Sequence, residues 1–232
     1  MLVLITGASG GIGYELAKKF SAQKGCMVIA VSRNIKSLSA LQNEKNGHAL
    51  LPLKADITKE KDLKKIASTL KRLNMPLDIL VNNAGHIVNK AFEKISAAEL
   101  SDVYATNVLA PFQLIQQTLP ALKKSNKAHV VNISSMGGFQ GSAKFPGLSA
   151  YASSKAALAG LTECLAEEFK PFNISVNCLA IGAVQTEMLG KAFPGYKAPL
   201  GPKQMAEFMC DFAMHAHQYM NGKIIPVSLS TP

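Results

Sequence analysis

Apolar residues gather along this chain in seven short runs rich in β-branched side chains: Leu2–Ile5, Met27–Val31, Ala49–Leu53, Ile79–Asn82, His129–Ile133, Ile174–Leu179 and Ile224–Val227. The central ones do not alternate with polar residues, which predicts strands buried on both faces. Between them the apolar spacing lengthens to the period of a helix, at about Ile12–Lys24, Ile35–Asn46, Lys59–Leu73, Ala97–Lys124, Ala150–Phe169 and Lys203–His217. Strand and helix therefore alternate throughout. That order predicts βαβ units and a parallel sheet covered by helices on both faces, in one α/β domain over residues 1–232. Pro111 falls inside the long fourth helical run and should kink it.

Composition narrows the class. At 232 residues and 48% apolar content the chain can bury one good core. No apolar run is long enough to span a bilayer. The opening MLVLITGASG runs straight into a glycine turn, so it reads as a strand and not a signal peptide. Four scattered cysteines, Cys26, Cys164, Cys178 and Cys210, form no C-x-x-C pair and fit free thiols in a reducing cytoplasm.

The net charge is +10, with 15 Lys+Arg against 7 Asp+Glu in residues 1–94. A basic half suits nucleic acid or a phosphorylated small molecule. No nucleic-acid recognition module accompanies it, and much of the excess lies on polar helix faces such as KEKDLKKIASTLKRL. Neither nucleic acid nor membrane is an expected partner.

Chemistry enters at the end of the first strand, in TGASGGIGYELAKKF. Gly7, Gly11 and Gly13 lie between that strand and a helix. Glycine permits the tight turn and lets a phosphate approach the backbone, and the helix N-terminus favours negative charge. The spacing departs from G-x-G-x-x-G, yet a strand, loop and helix opening an α/β chain favour a nucleotide loop over a packing turn. The second strand ends in Ser32 and Arg33. At that place an acid suits the ribose 2′-hydroxyl of NAD, and an arginine the 2′-phosphate of NADP. Arg33 is one of only two arginines, and it favours NADP(H), with NAD the weaker candidate.

Tyr151 and Lys155, in SAYASSKAAL, are four apart on a predicted helix and share a face. Alone they could be an ordinary surface pair. In order along the chain stand TGASGGIG (6–13), NNAG (82–85), Asn107 in YATNVLAPF, ISS (133–135) and YASSK (151–155). This set strongly resembles the short-chain dehydrogenase/reductase family, over nearly the whole chain.

The resemblance implies a doubly wound Rossmann domain with a seven-stranded parallel sheet, a nicotinamide cofactor and reversible alcohol–carbonyl oxidoreduction. By motif it implies Tyr151 as acid/base and Lys155 as the holder of the nicotinamide ribose that favours the tyrosinate. Ser135 would hydrogen-bond the substrate oxygen, and Asn107 would shape its helix and hold a relay water. The implied cofactor contacts are Gly7, Ser9, Gly11, Ile12, Gly13, Ser32, Arg33, Asp56, Ile57, Asn83, Ala84, Gly85, Tyr151, Lys155, Gly182 and Thr186, with Asn82 supporting the sheet. A free phenol, with pKa about 10, is poorly matched to proton transfer at neutral pH, and an adjacent ammonium should lower it.

Three features depart from the family pattern. Ser135 and Tyr151 lie sixteen apart, wider than usual, through a glycine-flanked excursion around Gly141–Lys144. Ser134 and Ser142 are the alternative hydroxyls. Ile181 replaces the usual proline of a Pro-Gly turn, and the tail lacks a Gly-Gly ending. The segment Glu187–Pro202, rich in Gly and Pro with Met188, Leu189, Phe193 and Tyr196, reads as a lid or a surface connector. His215 and His217 share no helix face and read as surface residues; no metal-ligand cluster stands out.

The sequence thus predicts an NADP(H)-dependent oxidoreductase acting on a small carbonyl or alcohol. A catalytically weak nucleotide-binding sensor or scaffold on the same fold is the alternative. Small residues on the outer face of Tyr151–Phe169, Ala157 and Gly160 among them, together with the family habit, predict a homodimer or homotetramer.

Overall fold

A computed structural model of the chain describes residues 1–43 and 49–229. Its seven strands are β1 (Leu2–Thr6), β2 (Met27–Ser32), β3 (Leu50–Lys54), β4 (Ile79–Asn82), β5 (Ala128–Ser135), β6 (Ile174–Ile181) and β7 (Ile224–Val227). They form one sheet in the order β3-β2-β1-β4-β5-β6-β7, and every pair is parallel. The chain starts at β1, winds outward to β3, then returns beside β1 as β4. That reversal of winding opens a crevice beyond the strand carboxyl ends, where doubly wound folds bind ligands.

The helices are α1 (Gly11–Ser21), α2 (Lys36–Gln42), α3 (Glu60–Leu73), α4 (Ala97–Tyr104), α5 (Ala110–Leu122), α6 (Ser149–Glu168), α7 (Glu187–Ala192) and α8 (Pro202–His215). They cover both faces of the sheet. β1 shows why its apolar run is unbroken. Val3 and Ile5 face a core with Leu16 and Phe20 of α1 and Met205 and Met209 of α8. Leu2 and Leu4 face the opposite core, with Leu63, Ile66 and Leu70 of α3 and Leu114 and Ile115 of α5. Successive strand side chains point to opposite faces, so a strand between two helix layers must be apolar at every position. Each fully buried Leu or Ile contributes about 1.5–3 kcal/mol.

The fourth helical run differs from its expected form. It divides into α4, a π turn over Ala105–Leu109, and α5. α4 is closed at its start by a capping box: Ser96 Oγ accepts from the Glu99 N–H while the Glu99 carboxylate accepts from the Ser96 N–H. The break comes just before Pro111, where a proline has no N–H and its ring crowds the carbonyl four residues back. α2 ends at Gln42; the predicted extension to Asn46 falls on residues 44–46, outside the described residues. α7 was not predicted.

Two buried polar threads cross the sheet. Asn82 Nδ2 donates to Asn132 Oδ1 (2.8 Å), and Asn132 Nδ2 donates to Thr162 Oγ1 (2.9 Å), tying β4, β5 and α6 together. Near the other end of the strands, buried His129 donates from Nδ1 to the Ala213 carbonyl (2.9 Å) and accepts at Nε2 from Asn177 Nδ2 (3.0 Å). His217 differs from its expected surface position. Its ring packs 5.7 Å from that of His129, and its Nδ1 is buried.

Candidate active site

The glycine loop is shaped by contacts that leave no space for side chains at Gly7 and Gly13. Gly7 and Gly11 have φ of 67° and 55°, in the left-handed region that favours glycine. A Cβ on Gly7 would lie 2.8 Å from Ala84 Cα, and one on Gly13 would lie 2.3 Å from the Gly7 carbonyl oxygen. A Cβ on Gly10 would meet nothing within 4 Å, so the outer side of the loop is open. α1 begins there with no acidic residue in its first turn and no side-chain cap. Its first N–H groups and the positive end of its dipole are available to an anion.

The NNAG segment is strapped to this loop. Thr6 Oγ1 accepts from the N–H groups of Asn83 and Ala84 (3.1 Å each). Asn83 Nδ2 donates to the carbonyls of Thr6 (3.0 Å) and Gly7 (3.3 Å). Ser9 is held through its carbonyl by the Ser37 hydroxyl (2.8 Å), and the Ile12 side chain anchors the helix start in the core. Thr186 approaches from the far side: a Cβ on Gly11 would lie 3.2 Å from its methyl group, while its hydroxyl accepts the Leu189 N–H and caps α7. These contacts join Gly7, Gly11, Gly13, Asn83, Ala84 and Thr186 around one crevice. A dinucleotide pyrophosphate fits such a cradle, in which Gly7 and Gly13 lie too close to neighbouring backbone to carry a side chain.

At the adenosine end, β2 and β3 finish side by side, with Ser32 in register with Lys54. Arg33, Asn34, Ile35, Lys36 and Lys54 line one hollow. Three cations around a single concavity favour an anion there. Lys36 and Lys54 were missed in the sequence, since only the β2–β3 register places Lys54 next to Arg33. Asp56 sits beside them. Burial raises its carboxyl, but hydrogen bonds from the Thr58 N–H and hydroxyl, with the charges of Arg33 and Lys59, hold it below the usual range. Ile57 is buried in the core beneath.

The remaining predicted residues meet at the mouth of the crevice. α6 carries Tyr151 and Lys155 on one face, β5 ends at Ser135, and the π turn presents Asn107. The Ser135 hydroxyl lies beside the Tyr151 phenol and accepts the Gly137 N–H (3.2 Å). The Lys155 ammonium donates to the Ile133 carbonyl (2.7 Å) and lies 5.8 Å from the Tyr151 ring centroid. Burial pushes Lys155 down to about 8. The phenol behaves differently from expectation: burial raises its pKa, and the nearby Ser135 hydroxyl offsets part of the rise.

The structure also sorts the alternatives left by the sequence. Ser134 is buried and its hydroxyl donates to the Lys155 carbonyl (2.8 Å). Ser142 donates to the carbonyls of Met136 and Phe139, and Lys144 donates to Phe139 as well (2.6 Å). The longer connection therefore closes on itself, and only Ser135 meets Tyr151. Gly138 seats this connection against α6: a Cβ there would lie 2.7 Å from the Ala156 nitrogen. Ile181 continues the ladder of β6, paired with Ser135 and Val227, and the Gly182 N–H donates to the Val227 carbonyl (2.8 Å). A hydrogen-bonded strand end thus replaces the proline turn.

Two further site residues, His86 and Ser154, escaped the sequence reading. Asn107 is fully buried, and its amide is fixed by three hydrogen bonds: from the His86 N–H (2.8 Å), to the His86 carbonyl (2.9 Å) and to Ser154 Oγ (2.9 Å). Ser154 in turn donates to the Tyr151 carbonyl (2.7 Å). His86 and Ser154 therefore link the π turn to the helix that carries the Tyr–Lys pair. A Cβ on Gly85 would lie 3.5 Å from Lys155 Nζ and 3.6 Å from Asn107 Oδ1, so both groups face one small space. Among the described residues no cluster of potential metal ligands occurs, and no helix is long and apolar enough to cross a membrane.

Comparison with known proteins agrees with this geometry. The short chain dehydrogenase family model matches residues 1–197. The chain belongs to the short-chain dehydrogenase/reductase family of oxidoreductases. It is 30% identical over 238 residues to the 3-oxoacyl-[acyl-carrier-protein] reductase FabG of Aquifex aeolicus, covering 97% of this chain and 94% of the relative. The structure of a 3-ketoacyl-(acyl-carrier-protein) reductase from Brucella melitensis complexed with NADH superposes with a TM-score of 0.85 at 27% identity, covering 97% of this chain and 96% of that one. An enzyme of Beutenbergia cavernae, described as an NAD(P)-dependent gluconate 5-dehydrogenase with bound NADP, superposes with a TM-score of 0.86 at 27% identity, covering 98% and 94%.

Proposed function

We propose that this protein is an NADP(H)-dependent oxidoreductase that interconverts a carbonyl and an alcohol, with Tyr151 as the acid/base. The observation that carries the reading is the meeting of Ser135 with Tyr151 beside the buried Lys155, at the open end of the glycine-loop crevice. The preference for NADP(H) is supported by the hollow lined by Arg33, Lys36 and Lys54, where the similar solved structures divide between NADH and NADP.

Gly7, Gly11, Gly13 and the start of α1 would hold the pyrophosphate, Arg33 and Lys54 a 2′-phosphate, and Asp56 the adenine. Asn83, Ala84, Gly85, Gly182 and Thr186 would line the nicotinamide half. When bound, the nicotinamide supplies or accepts the hydride. The chain supplies the proton. In reduction, the Ser135 hydroxyl donates to the carbonyl oxygen and stabilises negative charge as it develops. Tyr151 gives its phenolic proton to that oxygen. The Lys155 ammonium, held by Ile133, favours the phenolate left behind. Asn107 cannot donate elsewhere, because both amide N–H groups are engaged; its role falls to its backbone carbonyl, which can hold a water from which a proton returns.

The test is a panel of ketones, aldehydes, 3-oxoacyl thioesters and sugars, followed by NADPH absorbance, with NADH in parallel. Turnover of at least one carbonyl with NADPH preferred is the expected result. Tight NADPH binding with no turnover across the panel would favour a sensor or scaffold instead.

The same reading extends to assembly and location. Leu109 and Phe112 are exposed, on elements adjoining the small outer face of α6 with Ala157 and Gly160. A homodimer or homotetramer covering this face is expected, with a monomer mass in light scattering as the contrary result. Three buried free thiols, Cys26, Cys178 and Cys210, suit a reducing cytoplasm.

A further inference from the structure

Asn89 lies between β4 and α4 and joins two stretches of chain far from it in sequence. Its Nδ2 donates to the carbonyl of Ala192, the last residue of α7 (2.9 Å). Its Oδ1 fills the place a side chain on Gly147 would take. A Cβ there would lie 2.2 Å from that oxygen, and Gly147 has φ of 85°, where glycine is favoured. The next residue repeats the tie: the Lys90 N–H donates to the Gly147 carbonyl (3.0 Å), and the Lys90 ammonium pairs with Glu99 of α4. Gly147 closes the lengthened connection after β5, four residues before Tyr151. At its other end α7 is capped by Thr186, whose methyl group faces Gly11 of the glycine loop. One side chain thus fastens α7 to the lengthened connection, and both adjoin the crevice.

Both fastened segments carry large apolar side chains that are roughly half exposed: Phe145 on the connection, Met188 and Tyr196 on and after α7. Scattered singly, such residues need no explanation. Here each lies within four residues of Gly147 or Ala192.

We propose that Asn89 is a specificity-determining residue. By fastening α7 to the lengthened connection it holds the apolar side chains of both about the mouth of the crevice, which favours carbonyl substrates that carry an apolar chain. It acts by placement and is a positioning residue, not a catalytic one. The substrate preference rests on the carbonyl–alcohol reading of the site; the tie itself does not.

The experiment uses the full chain and two readouts. Asn89→Ala removes both contacts. Asn89→Asp keeps the shape but has no N–H to donate to Ala192; it should behave alike, and it serves should the alanine variant not fold. The first readout needs no substrate: digestion of the native protein by trypsin, with the cut sites identified by mass. Lys191 and Lys197 are exposed on either side of the tie. Cleavage after them should be about 10-fold faster in the variants, since it tracks the population of the open segment and one hydrogen bond is lost. Cleavage elsewhere should be unchanged.

The second readout is KM and kcat with NADPH and straight-chain aldehydes of increasing length. Wild-type KM should fall as the chain lengthens, because each methylene placed against an apolar wall adds affinity. The variants should raise KM by about 10-fold for the longest aldehydes, leave it unchanged for the shortest, and leave kcat little altered. Wild-type cleavage after Lys191 and Lys197 overturns the tie. Faster cleavage with KM equally affected at every length, or not at all, overturns the role in specificity. A wild-type protein that reduces none of the series overturns the carbonyl reading and the preference with it, while the digestion still decides the tie on its own.

Discussion

Gly138→Ala adds one methyl group where the connection after β5 rests on α6. The new Cβ would lie 2.7 Å from the Ala156 nitrogen and the Lys155 carbonyl carbon, and 2.8 Å from Lys155 Cβ. Ordinary contact begins near 3.4 Å, so the connection and helix must separate by about 0.7 Å. The obstacle is helical backbone, which cannot swing aside as a side-chain tip can. Overpacking of this kind costs about 1–3 kcal/mol. For a chain of this size that lowers Tm by roughly 2–12 °C. The same shift moves Ser135 away from Tyr151, and a misplacement of about 1 Å at a reacting centre can cost ~10²-fold in rate.

The neighbouring glycine supplies the control. A Cβ on Gly137 would find its nearest atoms at 3.6 and 3.7 Å, an ordinary contact. Gly137→Ala should therefore leave Tm and turnover near wild type. Thermal denaturation and NADPH-coupled turnover of the two variants decide the matter. Equal behaviour of Gly137→Ala and Gly138→Ala would refute the reasoning.

Three further outcomes are expected. Gly13→Ala, whose Cβ would lie 2.3 Å from the Gly7 carbonyl oxygen, should abolish NADPH binding in calorimetry, whereas Gly10→Ala should bind like wild type. Arg33→Ala and Lys54→Ala should each reduce the ratio of NADH to NADPH dissociation constants by about 10–100-fold, the worth of a charge-assisted hydrogen bond; an unchanged ratio would show that the hollow does not read the 2′-phosphate. His129 is pushed down to about 4 from 6.5 by burial, so the native state resists protonation longer than the unfolded state does. Its contribution, up to about 3 kcal/mol, is full above pH 6.5 and lost as pH falls toward 4. Denaturant titrations at pH 7 and 4.5 should show this loss in wild type and a smaller one in His129→Leu.

Much of the fold was legible because a strand between two helix layers has no choice of residue type: β1, β2 and β4 appear in the sequence as unbroken apolar runs. The motif residues were legible for a different reason, since each lies at an end of an element, where residue type answers to geometry. What escaped depended on partners far away in sequence. His217 looks like a surface residue beside His215, yet it packs against His129 of β5. Lys54 looks like an ordinary strand-end lysine until β2–β3 register sets it beside Arg33. Ser154 hides inside the Tyr–Lys motif and becomes visible only through its bond to Asn107. α7, at six residues, is too short to show a helical period. The phenol of Tyr151 was expected to be lowered, because spacing reveals the lysine on the same face but not the burial that raises it.

The most direct measurement of the central claim is the turnover of Tyr151→Phe with a carbonyl that the wild type reduces, together with NADPH affinity. The substitution keeps the ring and removes the transferable proton. The account predicts a fall of about 10²–10⁴-fold in turnover, with NADPH binding unchanged because the glycine loop, Arg33 and Lys155 remain. Near-wild-type turnover in this variant would contradict it and place the acid elsewhere.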